Sequence, residues 1–121
     1  KNKFYIYGNN YKTKDGTCVR DYIHVSDIVR AHFDGLKKFK SKNCALNYNI
    51  GSEQGYSILE IIKAVEKVTK TKIQLIYKNK RKGDPAALIA KCDKIYKDLR
   101  WKPKYQDIHK IISSAWKWHN R

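Results

Sequence analysis

Helical periodicity interrupted by short β-type runs constrains this chain more than any other feature. At Ser57 the pattern Ser-x-x-Glu opens a stretch in which Ile58, Ile61, Ile62, Val65 and Val68 share one face. That is the spacing of an amphipathic helix behind a capping box. A second helix is expected to start near Ser26 or Asp27, with Ile28, Val29, Phe33, Leu36 and Phe39 as its apolar stripe. A short one follows a cap at Asp93 and carries Ile95 and Leu99. A last one follows Asp107 and turns Ile108, Ile111, Ile112, Ala115 and Trp116 inward. The runs between them are too short for helices. KNKFYIYG alternates Phe4 and Ile6 with Tyr5 and Tyr7, residues 18–25 and KIQLIY (72–77) read as strands, and ALNYNIG (45–51) reads as a buried strand ending at glycine. Residues 8–17 and 78–88 read as loops, Lys40 to Asn43 as a polar turn, and WKPKY (101–105) as extended because Pro103 prevents helix. The expected fold class is mixed α/β, with too few strands for a complete doubly wound sheet.

A chain of 121 residues is one domain or part of one, and 41% hydrophobic residues suffice for a core. No apolar run approaches the ~18 residues that span a bilayer, and no signal-peptide pattern occurs, so a soluble cytoplasmic location is expected. There is no methionine, and the opening residues read as a strand already in progress. The chain is therefore expected to begin inside a longer product. Cys18, Cys44 and Cys92 are widely spaced with no CxxC pattern, which points to reduced thiols and away from zinc. The net charge of +16 comes from 27 basic residues, 22 of them lysines scattered along the whole length. Isoleucine, asparagine and tyrosine are abundant too, and all four residue types use A/T-rich codons. The charge is read as solvated faces, and without a recognised binding motif nucleic acid is not the expected partner.

Two stretches carry chemistry. In DGTCVRDYIHV (15–25) a strand-like segment holds Arg20 and Asp21, where apolar residues are preferred. In RKGDPAAL (81–88) Arg81 and Asp84 flank Gly83 on a loop. A guanidinium offers planar bidentate contact to phosphate oxygens, and a carboxylate accepts hydrogen bonds from vicinal hydroxyls. The pair suits a ligand with phosphates beside a ribose, and equally a surface Arg–Asp turn. The turn NIGSEQGYSILEII (49–62) has the outline of a phosphate loop. It lacks both GxGxxG and GK[ST], and Glu53 would place negative charge in the cradle, so a structural turn is expected. His24, His32, His109 and His119 show no ligand spacing and are read as structural.

DGTCVRDYIHVSDI, YNIGSEQGYSILEII, RKGDPAALIA and LRWKPKYQDIHKIISSAWKWH occur in order and at spacing that resembles the C-terminal part of the UDP-glucose 4-epimerases. These are NAD-dependent extended short-chain dehydrogenases/reductases with a Rossmann-type fold. The resemblance runs from about residue 5 to residue 119, and Arg-x-Gly-Asp-Pro with Trp-x-Pro-x-Tyr is its most specific part. It implies that residues 1–121 form the substrate-binding C-terminal portion, without the N-terminal NAD-binding domain. By matching position, Arg20 and Arg81 would hold the UDP diphosphate as a pre-positioned clamp, Tyr22 would lie near the same nucleotide, and Asp84 would hold the uridine ribose. Tyr5, Ile6 and Tyr7 match the short strand whose backbone borders the uracil. Leu88 matches a residue whose bulk influences which sugar fits, and its size here implies unmodified hexoses over N-acetylated ones.

The family's catalytic Tyr-x-x-x-Lys and its Gly-x-x-Gly-x-x-Gly cofactor turn do not occur in this sequence. The resemblance therefore implies a segment that binds UDP-glucose or UDP-galactose and is inactive alone, with NAD bound elsewhere in the complete enzyme. Two other readings stay open here: a related UDP-sugar epimerase or dehydratase, and a truncated basic binding module. In the family, residues 25 to 50 pack against the NAD-binding domain, so Ile28, Phe33 and Ile50 are expected to be exposed. A homodimer of the complete enzyme is compatible with the sequence.

Overall fold

Among the described residues two small sheets, one of two strands and one of three, carry the strand pairing. The structure is a computed structural model and describes residues 3–38 and 45–121. Strand β1 (Lys3–Tyr7) runs parallel to β4 (Gln74–Lys78), in register from Lys3 opposite Gln74 to Tyr7 opposite Lys78. Strand β2 (Val19–Asp21) is flanked by β3 (Gly55–Ser57), antiparallel, and β5 (Ala87–Leu88), parallel. Parallel neighbours require long crossovers. Those crossovers hold helices α1 (Val25–Lys38) and α2 (Ile58–Thr69), while α3 (Asp93–Leu99) and α4 (Ile108–His119) follow the last strand. The mixed α/β class is as the sequence implies.

Helix α2 starts as its capping box dictates. Ser57 Oγ accepts the Glu60 N–H at 3.1 Å, and Glu60 Oε2 accepts the Ser57 N–H at 2.9 Å. It ends at Lys70, in the left-handed region with φ 56°. Asp107 caps α4 by accepting the His109 N–H at 2.8 Å. The core is centred on Ala31, Cys92, Ile95 and Trp101, with Ile23, Tyr48, Ile50, Ala90, Tyr96 and Leu99 around it.

Several expectations need correction. Helix α1 begins at Val25, because the His24 carbonyl accepts the N–H groups of Asp27 and Ile28 and His24 Nδ1 accepts that of Ser26. Neither Ser26 nor Asp27 caps it. Asp27 is instead fully buried, and its carboxylate accepts the Lys104 and Tyr105 N–H groups at 2.9–3.0 Å and pairs with Arg30 at 3.1 Å. Phe33 is 63% exposed as expected, beside Val29 at 52% and Leu36 at 66%, but Ile28 and Ile50 are only partly exposed, and Ile50 packs against the core. Phe39, Cys44 and the turn at Lys40 to Asn43 lie outside the described residues. Helix α3 is led by Cys92 with no side-chain cap, and Asp93 is its first helical residue; Glu53 Oε1 accepts the Cys92 N–H at 2.8 Å. On α4, Ile108 is buried but Ala115 and Trp116 are exposed.

Residues 45–51 form no ladder among the described residues. Two N–H donors of the backbone beside them are taken by carboxylates, Ala90 by Asp21 and Cys92 by Glu53. A two-residue strand, β5, forms inside the expected 78–88 loop, and β2 spans three residues, not eight.

Candidate functional site

The loop after β1 is fixed from both ends. The Gly8 N–H donates to the Lys78 carbonyl, and the Tyr11 N–H donates to that of Gly16, both at 2.9 Å. Asp15 accepts the Thr17 N–H and hydroxyl on Oδ1 and the Ser57 hydroxyl on Oδ2, tying the loop to the start of α2. Burial pushes the Asp15 carboxyl up, but the donors from Ser57 and Thr17 outweigh it and hold the group below its ordinary value. Strand β2 leaves this loop with Arg20 at its centre. Across the ladder, the chain beyond β4 turns tightly, with the Asp84 N–H donating to the Arg81 carbonyl at 3.3 Å. Gly83 adopts φ 82° in that turn, a conformation that favours glycine.

These elements enclose a concavity of about 540 Å³ lined by β1, Cys18, Arg20, Ile58, Arg81 and Asp84. Of the eight residues selected from the sequence, Tyr5, Ile6, Tyr7, Arg20, Arg81 and Asp84 therefore meet in one place. Leu88 does not; it lines an adjoining concavity of about 560 Å³ that shares Arg20 and also contains Asp21, Tyr48 and Ile89. Tyr22 lines neither. It is half-buried, and burial raises its phenol.

The two arginines stand differently. Arg20 Nη1 donates to the carbonyls of Val19 and Pro85 at 2.7 and 3.1 Å, and Nη2 donates to Asp84 Oδ1. Asp84 thus pairs with Arg20 from β2 and not with its loop neighbour Arg81. Its other oxygen accepts the Tyr11 hydroxyl at 3.4 Å. Tyr11 is buried, and burial and the Asp84 charge raise its phenol, keeping it a donor. Arg81 is exposed, with its guanidinium carbon 4.0 Å above the centre of the Tyr7 ring. Tyr11 and Cys18 were not singled out by sequence reasoning. Tyr11 lies in a polar loop with no periodicity to mark it, and its partner Asp84 is 73 residues away.

The turn at 49–55 is filled by the protein itself. Asp21 accepts the Ser52 N–H and hydroxyl on Oδ1, and the N–H groups of Glu53 and Ala90 on Oδ2. A Cβ on Gly51 would collide with Asp21 Oδ2, which explains the glycine. His24 is likewise structural: Nδ1 accepts the Ser26 N–H, Nε2 bonds the Ser114 hydroxyl at 2.9 Å, and the ring packs against that of Tyr105 at 4.4 Å, tilted by 30°. Among the described residues no group of three or more His, Cys, Asp or Glu could hold a metal, and no helix is long and apolar enough to cross a membrane.

A similar fold occurs in a crystal structure of a UDP-glucose 4-epimerase, with a TM-score of 0.90 and 43% identity over 99% of this chain and 36% of that one. It occurs also in UDP-glucose 4-epimerase from Bifidobacterium longum in complex with NAD+ and UDP, with a TM-score of 0.88 and 39% identity over 98% and 35% of the two chains. The fold is that of part of a Rossmann-type short-chain dehydrogenase/reductase. The family model for GDP-mannose 4,6 dehydratase matches residues 1–114, and the chain belongs to that family. It is 50% identical over 114 residues to UDP-glucose 4-epimerase of Lacticaseibacillus casei, covering 94% of this chain and 34% of that protein. The chain thus spans about a third of the length of the curated relatives it matches.

Proposed function

We propose that this chain is the UDP-sugar-binding C-terminal part of an NAD-dependent UDP-glucose 4-epimerase, interconverting UDP-glucose and UDP-galactose through a 4-keto intermediate. The observation that carries the proposal is the convergence of Arg20, Arg81, Asp84 and the β1 backbone on one concavity of about 540 Å³. Half-identity to the L. casei epimerase supports it. Arg81 offers its N–H donors to the diphosphate at the rim. Arg20 already uses three hydrogen bonds on the protein, so its contribution is a fixed positive edge and not a mobile clamp arm. Asp84 accepts from the ribose hydroxyls while held on one oxygen by Arg20 and on the other by Tyr11. The uracil lies along β1, where backbone groups of Tyr5 to Tyr7 border the concavity, and Tyr22, which follows directly on the strand that carries Arg20, acts indirectly. The hexose extends into the adjoining concavity, where Leu88, 61% exposed, narrows the space and favours hexoses without an N-acetyl group.

NAD supplies the hydride exchange at C4 of the sugar in the complete enzyme. Residues of this chain do not fit it: the glycine turn ahead of α2 is filled by the Asp21 carboxylate, with Glu53 at its mouth. The cofactor therefore belongs to a preceding domain, and this segment alone is inactive. The outward stripe Val25, Val29, Phe33 and Leu36 is the face that domain covers. Binding energy from the uridine half holds the hexose in place for chemistry performed by groups outside this chain.

Calorimetric titration with UDP, repeated on Arg81→Ala and at two salt concentrations, tests the reading. Saturable 1:1 binding is expected, absent for uridine and weakened about 10-fold or more in the variant, as for loss of charge-assisted hydrogen bonds. No UDP binding by the folded chain, or binding of any polyanion with a steep salt dependence and no preference for UDP, would favour a basic binding module instead.

A further inference from the structure

We propose that Tyr7 is a positioning residue for Arg81, its ring acting as a platform that holds the guanidinium at the rim of the concavity with its donors uncommitted. The inference rests on the reading that the concavity takes a nucleoside diphosphate. Its starting point is the inequality of the two arginines. Arg20 spends three N–H groups on Val19, Pro85 and Asp84, and its charge is offset by the carboxylate. Among the described residues no acceptor takes an Arg81 N–H and no carboxylate pairs with it; its contact is the Tyr7 ring at 4.0 Å. A cation–π contact engages the charge and face of a guanidinium and leaves the N–H edges available.

An exposed arginine on a loop otherwise samples many rotamers, and fixing one on binding costs affinity. Tyr7 is well placed to prevent that. It ends β1 opposite Lys78 in the parallel register, and the next residue, Gly8, donates to the Lys78 carbonyl at 2.9 Å. The platform is thereby locked to the strand that ends three residues before Arg81. Lys80 fastens the intervening loop: its ammonium lies 4.3 Å over the Tyr11 ring and donates to the Asn10 carbonyl at 3.1 Å. The loop is held on one side, and Arg81 is delivered onto Tyr7. The side chain of Tyr7 thus has a task separate from the backbone role that its strand implies.

The test is a double-mutant cycle on the full 121-residue chain, with UDP and inorganic pyrophosphate as probes and far-UV circular dichroism to verify folding. Tyr7→Phe keeps the platform and should bind both probes within about twofold of the unaltered chain, whereas Tyr7→Leu should weaken both about three- to tenfold. In the Arg81→Ala background, Tyr7→Leu should cause no further loss. Unchanged pyrophosphate affinity in Tyr7→Leu, or an equal loss with and without Arg81, overturns the platform while leaving the diphosphate reading intact. Failure of the unaltered chain to bind either probe overturns that reading and this inference with it.

Discussion

Replacing Asp27 with alanine should damage this fold more than any single change at the candidate site. The Asp27 carboxylate is fully buried and gathers three donors: the Lys104 and Tyr105 N–H groups at 2.9–3.0 Å and Arg30 at 3.1 Å. Its backbone carbonyl also accepts the indole N–H of Trp101 at 3.2 Å, so one residue ties the first turn of α1 to the whole 101–105 segment. Alanine leaves two backbone donors without their acceptor, and each buried unsatisfied group costs about 1–3 kcal/mol. Removing one member of a buried pair costs about 3–5 kcal/mol. The Arg30 side chain is 26% exposed and can turn toward water, which places the expected loss near the lower end, about 3 kcal/mol. Against a typical total of about 5–15 kcal/mol, that is a large fraction. Urea unfolding followed by far-UV circular dichroism measures it. Asp27→Asn retains one acceptor oxygen and should lose roughly half as much. A loss under about 1 kcal/mol for Asp27→Ala would refute the reasoning, because it would mean that the segment is held by its apolar contacts alone.

Three further predictions concern the framework of the site. Ser57→Ala removes both the α2 cap and a donor to Asp15, and should cost about 1–2 kcal/mol in the same unfolding assay. Gly51→Ala pushes a methyl group into Asp21 Oδ2 and to within 2.5 Å of the Ala90 Cβ; a loss above about 2 kcal/mol is expected, with chemical-shift changes at Ser52 and Ala90. Asp15 and Asp98 both have carboxyls held below their ordinary value of 3.8, Asp98 chiefly by its hydrogen bond from Lys94. A depressed folded-state pKa contributes stability that is complete above the ordinary value and is lost as the pH falls through the folded one. The unfolding midpoint should therefore drop as the pH falls from about 5 toward 3, and Asp15→Asn should flatten that dependence.

Local chemistry made part of this protein legible from sequence. Helices α2 and α4 were readable because the capping residue and the apolar spacing lie within a dozen neighbouring residues. Strands β1 and β4 were readable as apolar and aromatic runs of strand length, Arg20 was visible as a charge in a strand-like run, and Arg81 and Asp84 as charges flanking a loop glycine. Tertiary structure decided the rest. Strands β3 and β5 are three and two residues long, and no local pattern marks them; they exist because β2 lies between them and supplies the ladder. Residues 45–51 have the composition of a strand, yet carboxylates from Asp21 and Glu53 take donors of the backbone beside them. Asp27 carries the sequence signature of a cap, but amides 77 and 78 residues away bury it as an anchor. The pairing of Asp84 with Arg20 and Tyr11, and of Arg81 with Tyr7, likewise joins residues more than 60 positions apart. A helix closes its hydrogen bonds within itself, so its sequence suffices; a ladder or an ion pair needs a partner that only the folded chain brings near.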